Sequence, residues 1–134
     1  MAKKILIIDD DQEDVLLMKE HLKRIGQEDI LVSYNGEEGL EVFKVHELDL
    51  VICDITLPGM DGFEVCKEIK SFKKKISKVV LLTGNINAIN YERSFRAGAD
   101  QFLIKSPDFT YFEKAMSKIL SGEGKDSHDE EGKT

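Results

Sequence analysis

Five short, almost uninterrupted apolar runs, each separated from the next by a helical pattern, limit the possible folds of this chain more than any other feature. The runs are Ile5–Ile8, Ile30–Tyr34, Leu50–Cys53, Val79–Leu82 and Phe102–Ile104. A strand with one face in water alternates apolar with polar residues. A strand covered on both faces does not, because both sets of side chains meet a core. The intervening stretches carry the helical period. Val15, Met18, Leu22 and Ile25 mark one face of a first helix, with Asp11 as its N-cap, Asp14 in its first turn and Gly26 as its stop. Leu40 and Phe43 mark a second helix, amid Glu37, Glu38, Glu41 and Lys44, and Phe63, Cys66 and Ile69 mark a third. A weaker pattern from Asn87 to Ala97 predicts a fourth, anchored by Ile89 and Phe95, and Phe112, Met116 and Ile119 mark a fifth.

Strands alternating with helices predict an α/β domain, doubly wound, with a five-stranded parallel sheet and helices on both faces. Crossovers should be right-handed. The 134 residues suit one such domain. The pattern ends after Leu120. Residues 121–134 hold no apolar side chain and carry five acids against two bases, so they read as a disordered acidic tail or linker remnant outside a domain of residues 1–120.

A parallel open sheet places its chemistry at the carboxyl ends of its strands, beside the point where strand order reverses. The first run here ends in Asp9-Asp10-Asp11, the third in Asp54, the fourth in Thr83-Gly84 and the fifth in Lys105. The second ends near Asn35-Gly36, which reads as a plain turn. One edge thus receives carboxylates, a hydroxyl and an amine. Carboxylates held close repel one another and need a cation or a proton. Hard oxygen donors select Mg²⁺ or Ca²⁺. A carboxylate can also attack phosphorus and form an aspartyl phosphate, with the protein supplying position and charge neutralisation.

Several features favour plainer roles. Asp11 reads as a helix cap. His21, His46 and His128 share no metal spacing and read as solvated, and the run Lys73-Lys74-Lys75 reads as a solvated loop. Cys53 and Cys66 have no CxxC spacing and read as core thiols in a reducing compartment. A formal charge of −7 argues against a module that grips nucleic acid through its phosphates. The apolar run Ile5–Ile8 is too short for a signal core, and no run reaches the length of a membrane span, which points to a cytoplasmic protein with no membrane partner.

The set Ile8-Asp9-Asp10, then Asp54-Ile55-Thr56-Leu57-Pro58-Gly59-Met60-Asp61-Gly62, then Thr83-Gly84, then Ala97-Gly98-Ala99-Asp100 leading to Lys105, resembles the receiver domain of bacterial response regulators. The resemblance spans about residues 3–120. It implies the flavodoxin-like strand order 2-1-3-4-5. It implies Asp54 as phosphoacceptor, and Mg²⁺ held by Asp9, Asp10, Asp54 and the backbone carbonyl of Thr56. It implies Thr83 and Lys105 on the phosphoryl oxygens, and a switch in which Thr83 turns toward the phosphate and Phe102 moves inward.

The partners implied are a histidine kinase or phosphotransfer protein upstream and a protein target on the face of helix four, strand five and helix five, where a phosphorylation-dependent homodimer could also form. The chain would phosphorylate itself and lose the phosphate slowly, without acting as an enzyme on other substrates. Two other classes share the fold. One is a Mg²⁺-dependent aspartyl-phosphate phosphatase, which usually carries a second acid at the position of Thr56. The other is a degenerate receiver acting as an adaptor, which usually lacks one of the groups retained here. The resemblance is imperfect after Lys105. Ser106 stands where many receivers have proline, so a cis Lys105–Ser106 peptide would cost roughly 3 kcal/mol.

Overall fold

A computed structural model describes residues 3–75, 77–85 and 91–122. Its elements run β1 (Lys4–Ile8), α1 (Gln12–Arg24), β2 (Asp29–Ser33), α2 (Gly36–Val45), β3 (Leu50–Asp54), α3 (Gly62–Ser71), β4 (Lys78–Thr83), α4 (Tyr91–Arg96), β5 (Gln101–Ile104) and α5 (Thr110–Leu120). All sheet pairings are parallel and the strand order is β2-β1-β3-β4-β5. The predicted fold is therefore the observed one. The expected tail lies almost wholly outside the described residues, as do Ile89 and His128.

Two cores, one on each side of the sheet, explain the apolar runs of β1, β3 and β4, whereas the edge strands are less covered: Ile30, Leu31 and Val32 are half-buried, and Tyr34 and Ile104 are exposed. Successive side chains of a strand point to opposite faces. Leu6, Ile8, Val51, Cys53, Val79 and Leu81 pack with Leu40 and Phe43 of α2, with Phe63, Cys66 and Ile69 of α3, and with Ala97. Ile5, Ile7, Leu50, Ile52, Val80 and Leu82 pack with Val15, Met18 and Leu22 of α1 and with Phe112, Met116 and Ile119 of α5. Each fully buried aliphatic or aromatic side chain contributes on the order of 2 kcal/mol. Every residue of β3 is buried, as befits the central strand.

Local signals set the helix starts. Asp11 caps α1 by accepting from the N–H groups of Glu13 and Asp14. Asp61 and Glu64 close a reciprocal capping box at α3. Asn35-Gly36 is a helix start rather than a plain turn, because the Asn35 side chain accepts from the N–H of Glu38.

Three other expectations are corrected, and one open point is settled. Phe95 is 76% exposed and does not anchor α4; Ser94 and Ala97 face inward instead. His21 is buried, not solvated: Nδ1 lies 2.6 Å from Glu113 Oε1 and Nε2 lies 2.8 Å from the Asp108 carbonyl oxygen. Lys75 is drawn out of the solvated loop, donating to the His46 carbonyl oxygen at 3.1 Å and lying over the Phe43 ring. The Lys105–Ser106 peptide is trans. Among the described residues no helix is long and apolar enough to cross a membrane.

Candidate functional site

Strand order reverses between β1 and β3, which places Asp9 and Asp54 side by side at the carboxyl edge. Ile8 pairs with Cys53 in register, so the next residue of each strand is an aspartate, and both aspartates are buried. Carboxylate oxygens of Asp9, Asp10 and Asp54 all lie within 4.8 Å of one another. Asp10 is the exposed member of the three.

Lys105 enters from β5. Its backbone N–H continues the ladder to the Thr83 carbonyl at 2.9 Å. Its ammonium then reaches across the edge to three carboxylates: Asp14 Oδ2 at 2.7 Å, Asp54 Oδ2 at 2.8 Å and Asp9 Oδ2 at 2.8 Å. The contacts to Asp14 and Asp54 are well-formed hydrogen bonds. Asp9 Oδ2 is close enough for an ion pair but makes no hydrogen bond. The other oxygen, Asp9 Oδ1, accepts from the N–H of Asp11 at 2.9 Å.

Burial acts on both charges. It is the main reason that the Asp9 carboxyl is pushed up to about 6, with the negative charge of Asp54 adding to the shift and Lys105 opposing it. Burial alone would lower the affinity of Lys105 for its proton. Its close contacts with the Asp14, Asp54 and Asp9 carboxylates outweigh it and hold the ammonium above the usual lysine range. Lys105 is therefore a fixed cation.

The remaining groups ring Asp54. Its Oδ1 accepts from the N–H of Thr56 at 2.9 Å. The Thr56 and Thr83 hydroxyl oxygens lie 3.3 Å apart, and Thr83 Oγ1 accepts from the N–H of Asn85. Thr83 is almost fully buried and Thr56 is exposed. Phe102 is half-buried on β5, opposite Leu81, on the same sheet face as the α2–α3 core. The loop after Asp54 turns back tightly, with the Gly62 N–H donating to the Ile55 carbonyl at 3.0 Å. A Cβ on Gly62 would sit 2.6 Å from the Ile55 Cα, so the close return of this loop requires glycine.

All the residues singled out by the strand-end pattern thus meet at one edge. Asp14 is the member that pattern missed, since it lies on α1 rather than at a strand end. Its only sequence signal is an acid in the first turn of a helix, and helix N-termini favour such acids for their own sake.

This edge has the chemistry of a hard-cation site. Three carboxylates meet one ammonium with a fourth, Asp10, beside two of them, the buried Asp9 Oδ2 makes no hydrogen bond, and the clustered side-chain ligand atoms of Asp9, Asp10 and Asp54 are oxygens. The residues present fit a Mg²⁺ ion.

Comparison with known proteins agrees with this picture. The model of the response regulator receiver domain matches residues 5–117. The alkaline phosphatase synthesis transcriptional regulatory protein PhoP of Bacillus subtilis is 33% identical over 105 residues, which are 78% of this chain and 43% of that protein. The chain thus spans less than half the length of this relative. The response regulator protein TrrA of Thermotoga maritima, crystallised in complex with Mg²⁺ and BeF, is 38% identical, with a TM-score of 0.76 over 87% of this chain and 98% of that one. The chemotaxis response regulator CheY4 of Vibrio cholerae, 23% identical, shares the fold with a TM-score of 0.76 over 90% of this chain and 98% of its own. The chain belongs to the response regulator receiver domain family.

Proposed function

We propose that this receiver takes a phosphoryl group on Asp54 from a phosphohistidine of a histidine kinase or phosphotransfer protein, or from a small phosphodonor. The observation that carries the reading is the setting of Asp54. It is a buried carboxylate at the end of the central strand. One oxygen is pinned by the Thr56 N–H and the other by Lys105, with Asp9 and Asp10 alongside. These two hydrogen bonds restrict the rotation of the nucleophile before attack.

In the proposed step an Asp54 oxygen bonds to phosphorus, the bond from phosphorus to the donor's nitrogen or oxygen breaks, and the leaving group takes that electron pair. Mg²⁺ held by Asp9, Asp10, Asp54 and the Thr56 carbonyl would offset charge on the transferring group. Lys105 supplies a second, permanent positive charge at the same place. Thr83, whose hydroxyl oxygen lies 3.3 Å from that of Thr56, is the group we assign to follow a phosphoryl oxygen, and Phe102 shares its side of the sheet. A phosphate that draws Thr83 inward therefore favours a different Phe102 position, which shifts the population between two states.

The output surface we assign is the α4–β5–α5 face, where Phe95, Ile104 and Tyr111 are exposed apolar or aromatic side chains. It suits a protein target or a second, phosphorylated copy of the chain. The reading is of a switch rather than an enzyme acting on external substrates, since Thr56 stands where a phosphatase would carry its second acid. Two buried free thiols agree with a cytoplasmic location.

The test is incubation with Mg²⁺ and acetyl phosphate, read by intact mass beside Asp54→Ala. One added phosphoryl group, lost without Mg²⁺ and in the variant, is the expected result. A label that survives loss of Asp54 removes the assigned nucleophile.

A further inference from the structure

The α1 carboxylate of Asp14 belongs to neither the predicted metal set nor the phosphoryl set, yet it makes the shortest contact to Lys105, at 2.7 Å. Three acids start this helix, and they are used differently. Asp11 caps the helix and Glu13 is exposed to solvent, while Asp14 turns inward to a lysine 91 residues away. Helix capping and dipole effects would be satisfied without that inward turn.

The need for such a residue follows from a conflict within the site. Asp9 Oδ2 and Asp54 Oδ2 both face the Lys105 ammonium, and the same two side chains belong to the cluster suited to a divalent cation. An oxygen directed at the ammonium is less available to a metal. The ammonium is also a positive charge close to where the metal charge would sit, and its side chain is only 10% exposed, so water screens little of that repulsion. A lysine whose only partners were Asp9 and Asp54 would compete with the metal for them.

We propose that Asp14 is a positioning residue that supplies Lys105 with a counter-ion outside the metal set. It keeps the ammonium paired and in place while Asp9 and Asp54 turn to Mg²⁺. The inference rests on the phosphoacceptor reading only for its purpose; its measurable content is a coupling among Asp14, Lys105 and Mg²⁺. Asp14 acts through Lys105 and touches no reacting atom.

The experiment is isothermal titration of Mg²⁺ alone into four proteins: wild type, Asp14→Asn, Lys105→Ala and the double variant. The expected result is that Asp14→Asn weakens Mg²⁺ binding about five-fold or more in the presence of Lys105, while the same change in the Lys105→Ala background costs less than about two-fold, because coupled residues depart from additivity. An equal loss in both backgrounds would reduce Asp14 to a nearby negative charge and overturn the proposal. So would unchanged affinity in Asp14→Asn, or absence of Mg²⁺ binding by the wild type. Acetyl phosphate labelling of the wild type separates the two claims. Coupling without labelling would overturn the phosphoacceptor reading and leave the role of Asp14 standing.

Discussion

The two ends of the sheet each hold a lysine paired with aspartate, and they are built to opposite effect. At the amino end Lys70 donates to Asp100 Oδ2 at 2.7 Å and to the Ser77 carbonyl at 3.0 Å, while the same carboxylate oxygen accepts from the Val79 N–H at 2.8 Å. One cation meets one anion, and the remaining donors and acceptors are backbone. The pair ties the end of α3 to the starts of β4 and β5. At the carboxyl end one ammonium meets three carboxylates, with Asp10 beside them, and Asp9 Oδ2 makes no hydrogen bond. A balanced pair closes a structure. An unbalanced cluster leaves a demand for positive charge, and burial sharpens it by removing the water that would otherwise screen the repulsion. A cation bound at this edge would meet that demand.

The contrast is most exposed to Lys105→Ala. Removing the ammonium should slow acetyl phosphate labelling by ~100-fold, the size typical of losing one fixed donor to developing charge. It should also tighten Mg²⁺ binding, because the competitor for Asp9 and Asp54 is gone. Labelling that proceeds at the wild-type rate would mean that Lys105 only balances charge.

Thermal unfolding gives the next largest effect. Mg²⁺ at a hundred times its dissociation constant should stabilise the wild type by about 2.7 kcal/mol, which for a domain of this size raises the midpoint by on the order of 10 °C. Chelation with EDTA should reverse the shift. At the other end, Lys70→Ala should cost only about 1 kcal/mol, since the pair is partly exposed and solvent discounts it. It should leave the Mg²⁺ response unchanged. A Mg²⁺ response that shrinks in Lys70→Ala would show that the two ends are coupled and would break the comparison.

The smallest expected effect concerns burial without charge balance to satisfy. Cys53 adjoins Asp54, and burial lifts its thiol well above the usual range; burial likewise pushes Cys66 up to about 12. A raised value keeps the thiolate, the reactive form, scarce until the pH approaches it. At pH 8 neither thiol of the native protein should react with a disulfide reagent within an hour, whereas both should react once the chain is unfolded. Native reactivity of Cys53 would mean that the core beneath the site opens.

Much of this molecule could be read along the chain, for a physical reason. Burial on both faces of a strand is written as an unbroken apolar run, and burial on one face of a helix as a 3.6-residue period. The strand ends then follow at fixed places, so the sequence alone assigns Asp9, Asp54, Thr83 and Lys105 to one edge. The fourth helix was less legible: it has few apolar positions, and the aromatic that looked like its anchor, Phe95, faces outward.

Contacts between distant elements left no such mark. His21 sits at a position of α1 that a solvated residue could equally occupy, and only the docking of α5 brings Glu113 and Asp108 to its ring. The inward turn of Asp14 depends on where β5 delivers Lys105. A periodic pattern records which face of an element is buried, because every residue on that face meets the same environment. It carries no record of which single side chain from another element arrives there, and at this site that arrival decides which carboxylate holds the lysine.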